Sequence, residues 1–343
     1  MAVISFNPKQ VNKRLLAVLS DRARDIVVSR FGLGTDTERK TLEAIGAKYK
    51  ITRERVRQIE NYALATIKKS DVYQKEEGTM KELREIVVSL GGIVCEEDLL
   101  NHISSNEGVQ NHINFLLVLG DFFKREKEDT QFKHRWIVDD EVANRVHESL
   151  KKLYENLSDK DLIPEGEMVS SFLDYLKDIS DRYKNEEVIK RWLSISKTIK
   201  RNPLGEWGVS SSPNVSARGI RDYAFLVMRR HGSPMHFTEV ASGILDIFGK
   251  KAHTATCHNE LIKDERFVLV GRGLYALKEW GYEKGVVRDV IKNILKEDGP
   301  LTKEEIVAKV LNERHVKENT ILVNLQNPSY FKRDTKGRYV ATF

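Results

Sequence analysis

The sequence predicts a mainly α-helical fold: a helix-turn-helix domain followed by tandem winged-helix units, each of three helices and a small β-hairpin wing. Three observations carry that expectation. Two short segments with apolar stripes, Thr41–Gly46 and Thr52–Glu60, lie five residues apart, and the second is crowded with arginine. An apolar stretch with an acid at a fixed offset recurs four times at a nearly constant period, with an aromatic landmark in step. Short β-prone runs around glycine then close the repeats.

In the first pair, Leu42 and Ile45 give one helix its buried stripe, and Val56 and Ile59 give the other its own at helical spacing. Thr52 stands where an N-cap belongs, so the second helix would enter a groove by its N-terminal end. Arg53, Glu54, Arg57 and Gln58 then project away from the packed seam. Arginine grips guanine through a bidentate fork, glutamine favours adenine, and glutamate accepts from cytosine. This arrangement is expected to read duplex DNA. The plainer reading of such charges is a solvated helix face, and the upstream helix in register argues against it.

From about Leu15 to Lys69 the chain resembles the fourth conserved region of bacterial primary sigma factors, which reads the upstream promoter element. The resemblance rests on R-F-G-L (Arg30–Leu33), T-L-E-A-I-G (Thr41–Gly46), I-T-R-E-R-V-R-Q-I-E (Ile51–Glu60) and the following Ala63-Leu64. It implies that Arg53, Glu54, Arg57 and Gln58 read bases. It also implies that Thr41, Leu42 and Glu43 approach phosphate through backbone amides, with Thr52 and Arg55 on the DNA backbone beside them. The partners implied are double-stranded DNA and the RNA polymerase core, through the flap of its beta subunit. Ala65 and Thr66 depart from the family pattern, which places basic residues there. The match covers about a sixth of the chain, with only Met1–Arg14 ahead of it and no aromatic-rich melting segment around it, so a complete sigma factor is not expected.

At 343 residues the chain is long for one domain, and 40% hydrophobic with 31% charged residues suits a soluble protein with real cores. No run reaches the roughly eighteen apolar residues of a membrane span, and no secretion signal is evident. Cys95 and Cys257 alone make no disulfide framework, and a cytoplasmic location is expected. The net charge of +6 is uneven: residues 1–75 hold 16 Lys or Arg against 8 Asp or Glu, so the rest sums to −2. Attraction for a polyanion is therefore concentrated at the N-terminal end.

Past a polar linker, roughly Ser70 to Thr79, four stretches align: V-C-E-E-D-L-L from Val94, I-P-E-G-E-M-V from Ile163, M-H-F-T-E-V-A from Met235 and L-T-K-E-E-I-V from Leu301. Their acids, Asp98, Glu167, Glu239 and Glu305, lie 69, 72 and 66 residues apart. Trp136, Trp207, Tyr275 and Tyr339 follow at spacings of 71, 68 and 64. Helices are expected at Met80–Leu90, Val142–Leu157, Ile220–His231 and Val286–Glu297, each ahead of its aligned stretch. Thr302 and Glu305 have capping-box spacing. Hairpins are expected at Phe267–Leu277, about Gly271-Arg272-Gly273, and between Tyr330–Arg333 and Arg338–Thr342. The resulting domains are residues 1–75, 79–141, 142–213, 214–283 and 284–343.

The third unit, through H-F-T-E-V-A, its hairpin and Trp280, resembles the HARE-HTH module, also found in the delta subunit of some bacterial RNA polymerases; the fourth is a weaker relative. That resemblance implies a role in transcription and recognition of DNA or chromatin-like partners. Lys124, Arg125, Lys200, Arg201, Arg272, Lys336 and Arg338 are candidate wing contacts to phosphate. Cationic edge strands that avoid pairing with other chains are the equal alternative, and the repeated acids and aromatics are read as fold landmarks. Other wing cations are Lys127, Lys133, Arg135, Lys197, Lys332 and Arg333.

His253, Cys257 and His258 are read as a coincidence and not a metal site, since zinc wants three or four ligands. Gly271–Gly273 is read as a hairpin turn, lacking the Lys-Ser/Thr ending of a phosphate loop. No cofactor, metal or enzymatic activity is expected. The resulting expectation is a sequence-specific DNA-binding transcription factor acting with RNA polymerase. The alternatives are a polymerase-binding or scaffold protein without a specific DNA site, and an accessory DNA-recognition subunit of a DNA-processing system. The pattern specifies no oligomeric state.

Overall fold

Asn7, Thr41, Thr52 and Ser70 each accept an amide from the first turn of the helix that follows, and these caps set where four of the first five helices begin. The structure, a computed structural model, describes residues 4–176, 183–282, 287–313 and 316–342. The N-terminal helices are α1 (Pro8–Leu16), α2 (Asp21–Phe31), α3 (Leu42–Tyr49), α4 (Arg53–Lys68) and α5 (Asp71–Lys75). Four units with one element order follow. The first runs α6 (Glu77–Ser89), β1 (Ile93–Cys95), α7 (Glu96–Ile103), α8 (Glu107–Leu119), β2 (Lys124–Glu126) and β3 (Arg135–Ile137). The second has α9 (Asp140–Glu155), α10 (Glu165–Tyr175), α11 (Glu186–Ile195), β4 (Ile199–Arg201) and β5 (Trp207–Val209). The third has α12 (Ile220–His231), β6 (Met235–His236), α13 (Phe237–Phe248), α14 (Thr254–Lys263), β7 (Phe267–Leu269) and β8 (Leu274–Leu277). The last has α15 (Val287–Glu297), α16 (Lys303–Glu313), α17 (Glu318–Leu325), β9 (Phe331–Arg333) and β10 (Tyr339–Ala341).

The fold is mainly helical with small antiparallel sheets, as predicted. Sheet orders β1-β3-β2 and β6-β8-β7 are those of a winged helix, in which the strand between the first two helices pairs with the last strand of the wing. The second and fourth units reduce that first strand to a single bridge. The expected boundary between residues 283 and 284, and Val286 as a helix start, lie outside the described residues.

The two repeated landmarks meet across these sheets. Val94 is the partner of Trp136, Ile163 of Trp207, Met235 of Tyr275 and Leu301 of Tyr339. Each repeated acid occupies the third position of the helix that follows: Asp98 in α7, Glu167 in α10, Glu239 in α13 and Glu305 in α16. An acid there offsets the unpaired first-turn amides and the positive helix end. In two units it also reaches back: Glu239 accepts from the His236 amide at 2.9 Å and Glu305 from the Thr302 amide at 2.8 Å. Register and helix start thus come from the same seven residues.

The chain divides into two compact units, Met1–Lys200 with Trp207–Ser210, and Arg201–Glu206 with Ser211–Phe343. Within the first, no linker separates the helix-turn-helix from the winged helix. The stretch expected as a polar linker is instead helical, as α5 and the start of α6. The Tyr73 hydroxyl donates to the Leu119 carbonyl at 3.0 Å, and Arg14 pairs with Glu76 at 2.7 Å. Asp71, Gln74, Lys75 and Glu77 face solvent, while Glu76 and Thr79 are buried. Leu15, Val27 and Ile67 share one core with Leu83, Leu116 and Trp136. Phe31 meets Phe115 edge-on at 5.0 Å, and Asn12 Nδ2 donates to the His112 carbonyl at 2.9 Å.

Candidate nucleic-acid interface

The site begins with a tight turn. Thr41 Oγ1 accepts the Ala44 amide at 3.1 Å, and Thr52 Oγ1 accepts the Arg55 amide at 3.2 Å. Between α3 and α4 the Ile51 amide returns to the Gly46 carbonyl at 3.0 Å. A Cβ at Gly46 would lie 2.7 Å from the Ile51 carbonyl oxygen, closer than real Cβ contacts, so glycine lets the two backbones approach. Lys50 closes α3 in the left-handed region, at φ 53°. Ile45 and Val56, both buried, pack with Ile26 into a small core, which half-buried Leu42 and Ile59 complete. Asp25 on α2 braces the arrangement, accepting from Lys48 at 2.6 Å and from the Tyr49 hydroxyl. Those bonds, Lys48's first, hold its carboxyl below the usual carboxylate range.

This packing turns the sequence-predicted readers outward. Arg53, Glu54, Arg57 and Gln58 are all exposed on α4, beside exposed Thr41, Glu43, Thr52 and Arg55. Leu42 differs, since its side chain serves the small core, leaving its backbone to the outside role. The Leu42 and Glu43 amides are among the first-turn groups that an α-helix leaves without intrahelical partners.

The exposed set is internally paired. Arg57 grips Glu54 through two bonds of 2.7 and 2.9 Å, and Arg53 reaches Glu43 at 3.0 Å. The Arg57 hydrogen bond holds the Glu54 carboxyl below the usual carboxylate range. Arg55 donates to Gln58 Oε1 at 3.0 Å, so Gln58 keeps its amide N–H groups available while Arg55 is occupied in orienting it. Exposed ion pairs of this kind are weak and salt-screened, so they hold the side chains in order without locking them away. Sequence reasoning passed over Tyr62. It lies one turn beyond Gln58, 73% exposed, and helical spacing of four was the available signal.

The candidate wing cations divide into two groups. Lys124 pairs with Asp140 at 2.7 Å, Arg125 holds Glu96 through two bonds of 2.7 and 2.9 Å, and Arg338 pairs with Asp334 at 2.9 Å. Arg201 donates to the Gly205 carbonyl at 3.4 Å. Lys200, Arg272 and Lys336 are exposed and have no ion pair among the described residues. Arg272 sits in the hairpin turn, where Gly273 has φ +70° and a Cβ would meet His236 Nε2 at 2.4 Å. Arg135, counted with the wing cations from the sequence, is buried. It pairs with Glu126 at 2.7 Å and donates to His147 Nε2 at 2.8 Å, which makes it a structural residue.

Cys257 is buried in α14, its thiol pushed up to about 11 by burial, and His258 stacks on Phe237 at 4.3 Å. Among the described residues no group of three His, Cys, Asp or Glu is placed to hold a metal, and no helix is long and apolar enough to cross a membrane.

A capped short helix, a glycine-tight turn and a second helix exposing Arg53, Arg57 and Gln58 define a helix-turn-helix DNA-binding domain. Within that class, residues 15–69 match the family described as sigma-70, region 4. The RNA polymerase sigma factor RpoS of Coxiella burnetii (strain RSA 493 / Nine Mile phase I) is 48% identical over 56 residues, 16% of this chain and 16% of that protein. The RNA polymerase sigma factor SigA1 of Synechococcus elongatus (strain ATCC 33912 / PCC 7942 / FACHB-805) is 48% identical over 54 residues, 16% of this chain and 13% of that protein. The similarity thus spans about one-sixth or less of these relatives. It supports a DNA-binding role of the kind used in transcription initiation, carried by the N-terminal domain.

Proposed function

We propose that this chain is a sequence-specific DNA-binding factor that acts in transcription initiation or its regulation together with RNA polymerase. One observation carries the reading: a sigma-70 region 4 domain presents Arg53, Glu54, Arg57 and Gln58 on the exposed face of α4, clear of its own core. In this reading the N-terminal turn of α4 lies in the major groove, and the four side chains select a short element. Thr41, Leu42, Glu43, Thr52 and Arg55 set the approach to the backbone. The domain also docks on the polymerase core, at the flap of the beta subunit. The winged helices, of which the third is HARE-HTH-like, extend the contact to DNA or to polymerase. The domain limits 1–75, 79–141, 142–213, 214–283 and 284–343 belong to the same proposal, as do a cytoplasmic location and the lack of enzymatic activity.

A second reading has an observation of its own. Lys124 and Arg338 are already paired with carboxylates, which favours winged helices that bind protein and not phosphate. One experiment separates the two. Core RNA polymerase is captured from the host lysate on the tagged chain, with and without nuclease, and short duplexes are selected from a random pool by the chain and its variants. R53A and R57A are each expected to lose roughly 10- to 100-fold in affinity for the selected site and to relax preference at one position. Nuclease-resistant capture with no selected sequence would instead establish the protein-binding reading.

A further inference from the structure

Between α2, α4, α8 and the first wing lies a cleft of about 390 Å³, within the roughly 300–1,000 Å³ typical of small-molecule sites. Three buried N–H groups on its lining have no hydrogen-bond acceptor among the described residues: Arg30 Nε, Asn114 Nδ2 and Trp136 Nε1. Asn114 and Trp136 are 3% and 1% exposed, so neither donor has ready access to solvent. A buried donor left unmade costs free energy, and chains rarely keep one without a reason. Here three share one lining, all three are donors, and among the described residues only Arg30 has a carboxylate, Glu60, within ion-pair distance.

The charges agree. Arg39 and Arg125 line the same cleft. Arg125 is held by Glu96, and Arg39 Nε donates to Asn111 Oδ1 at 2.7 Å, which leaves both guanidinium forks with further N–H groups. Among the described residues Glu60 is the one carboxylate on the lining. It forms an ion pair with Arg30 Nε at 3.6 Å, and burial pushes its carboxyl up against the pull of that guanidinium. The remaining wall is apolar, formed by Phe31, Leu117, Val118 and Phe123.

We propose that this cleft binds a phosphate-bearing small molecule with an apolar or aromatic body, of mononucleotide size, between the helix-turn-helix and the first winged helix. Arg30, Asn114 and Trp136 donate to the phosphate oxygens, and Arg39 and Arg125 supply further charge. A phosphate is favoured over a carboxylate because its three terminal oxygens offer enough lone pairs for donors arriving from several elements. The body packs on Phe31 and Phe123. The occupied cleft joins α2 and α4 to the wing, so the ligand would steady the DNA-reading helix against the unit that follows it.

The test is calorimetric titration of the full chain, without DNA, using adenosine monophosphate, inorganic phosphate and adenosine as probes. Adenosine monophosphate is expected to bind at least about tenfold tighter than adenosine, as charge-assisted hydrogen bonds require, and tighter than phosphate alone. N114L removes a donor at nearly constant shape and W136F removes one with a smaller ring; each is expected to weaken it about tenfold. E60Q, which removes the competing negative charge, is expected to tighten it. R53A, on the DNA-reading face, leaves it unchanged, which keeps this result separate from the transcription reading. Melting curves establish that each variant folds, and E60Q alone decides if a core variant does not. Binding of no probe, or binding indifferent to E60Q and W136F, overturns the proposal. So does a loss of duplex-DNA affinity in W136F when no small probe binds, since the cleft would then be a backbone-phosphate contact.

Discussion

Arg57 is held by Glu54, and Arg55 by Gln58. On the proposed function, recognition at this scale would be an exchange of partners, with one weak exposed pair replaced by a base edge. The opposite case is His147, whose partners are permanent. It receives a hydrogen bond from Arg135 Nε and packs on Phe132 at 4.5 Å. Burial, and then the Arg135 charge, lower its pKa from 6.5 to about 4, against the opposing pull of Glu126 and Asp129; Lys151 adds to the lowering. The unfolded imidazole takes its proton near 6.5, the folded one only near 4. The contribution of this group to stability is therefore complete above pH 6.5 and is lost as pH falls toward 4. Urea unfolding of H147Q, which keeps an acceptor for Arg135, is expected to show a flatter pH dependence across that window than the parent chain. An unchanged slope would mean that other groups govern it.

The helix-turn-helix depends on one backbone approach. Replacing glycine by alanine inside a helix normally gains roughly 1 kcal/mol of propensity. At Gly46 the new Cβ would press on the Ile51 carbonyl oxygen, which is backbone and cannot swing aside. G46A is thus expected to lose about 1–3 kcal/mol of stability and to weaken site-specific binding, read by thermal melting and duplex titration. The wings pose a question of the same size: do their cations hold phosphate or guard sheet edges? Replacing Lys200, Arg272 and Lys336 by alanine is expected to lower the slope of log affinity against log salt by up to about 0.9 for each phosphate no longer neutralised. An unchanged slope with increased aggregation would assign them to edge protection.

Within the first compact unit, the helix-turn-helix domain is built into its neighbour. Val11, Leu15 and Phe31 lie in the same core as Leu116 and Trp136, and Trp192 Nε1 donates to the Gly91 carbonyl at 3.2 Å, tying the first winged helix to the second. A fragment ending at Lys75 would expose that core. It is expected to melt without a cooperative transition, whereas a fragment ending at Ser210 retains one; circular dichroism on heating distinguishes them. A free-standing fold of the shorter piece would show that the shared core is dispensable.

Element types and the repeat were legible in the chain because both depend on local pattern. Helix caps such as Thr52 and Thr302, and the two repeated landmarks themselves, are spelled by residues at fixed spacing, whereas the pairing of Val94, Ile163, Met235 and Leu301 with the aromatics emerged only in the structure. The outward face of α4 was legible too, since Val56 and Ile59 define the inward one. Other features were not. The apparent linker Ser70–Thr79 carries no signal of the Leu119 carbonyl that its Tyr73 meets. Nor does the sequence indicate which wing cations are paired, or that Arg30, Asn114 and Trp136 line one cleft. By itself the sequence determined the helices, their caps, the fourfold repeat and the outward face of α4, all of which follow from interactions within a few residues or from periodicity. Only the tertiary structure decided which charges remain unpaired, which core is shared and where buried donors converge, because those depend on contacts between residues far apart in the chain.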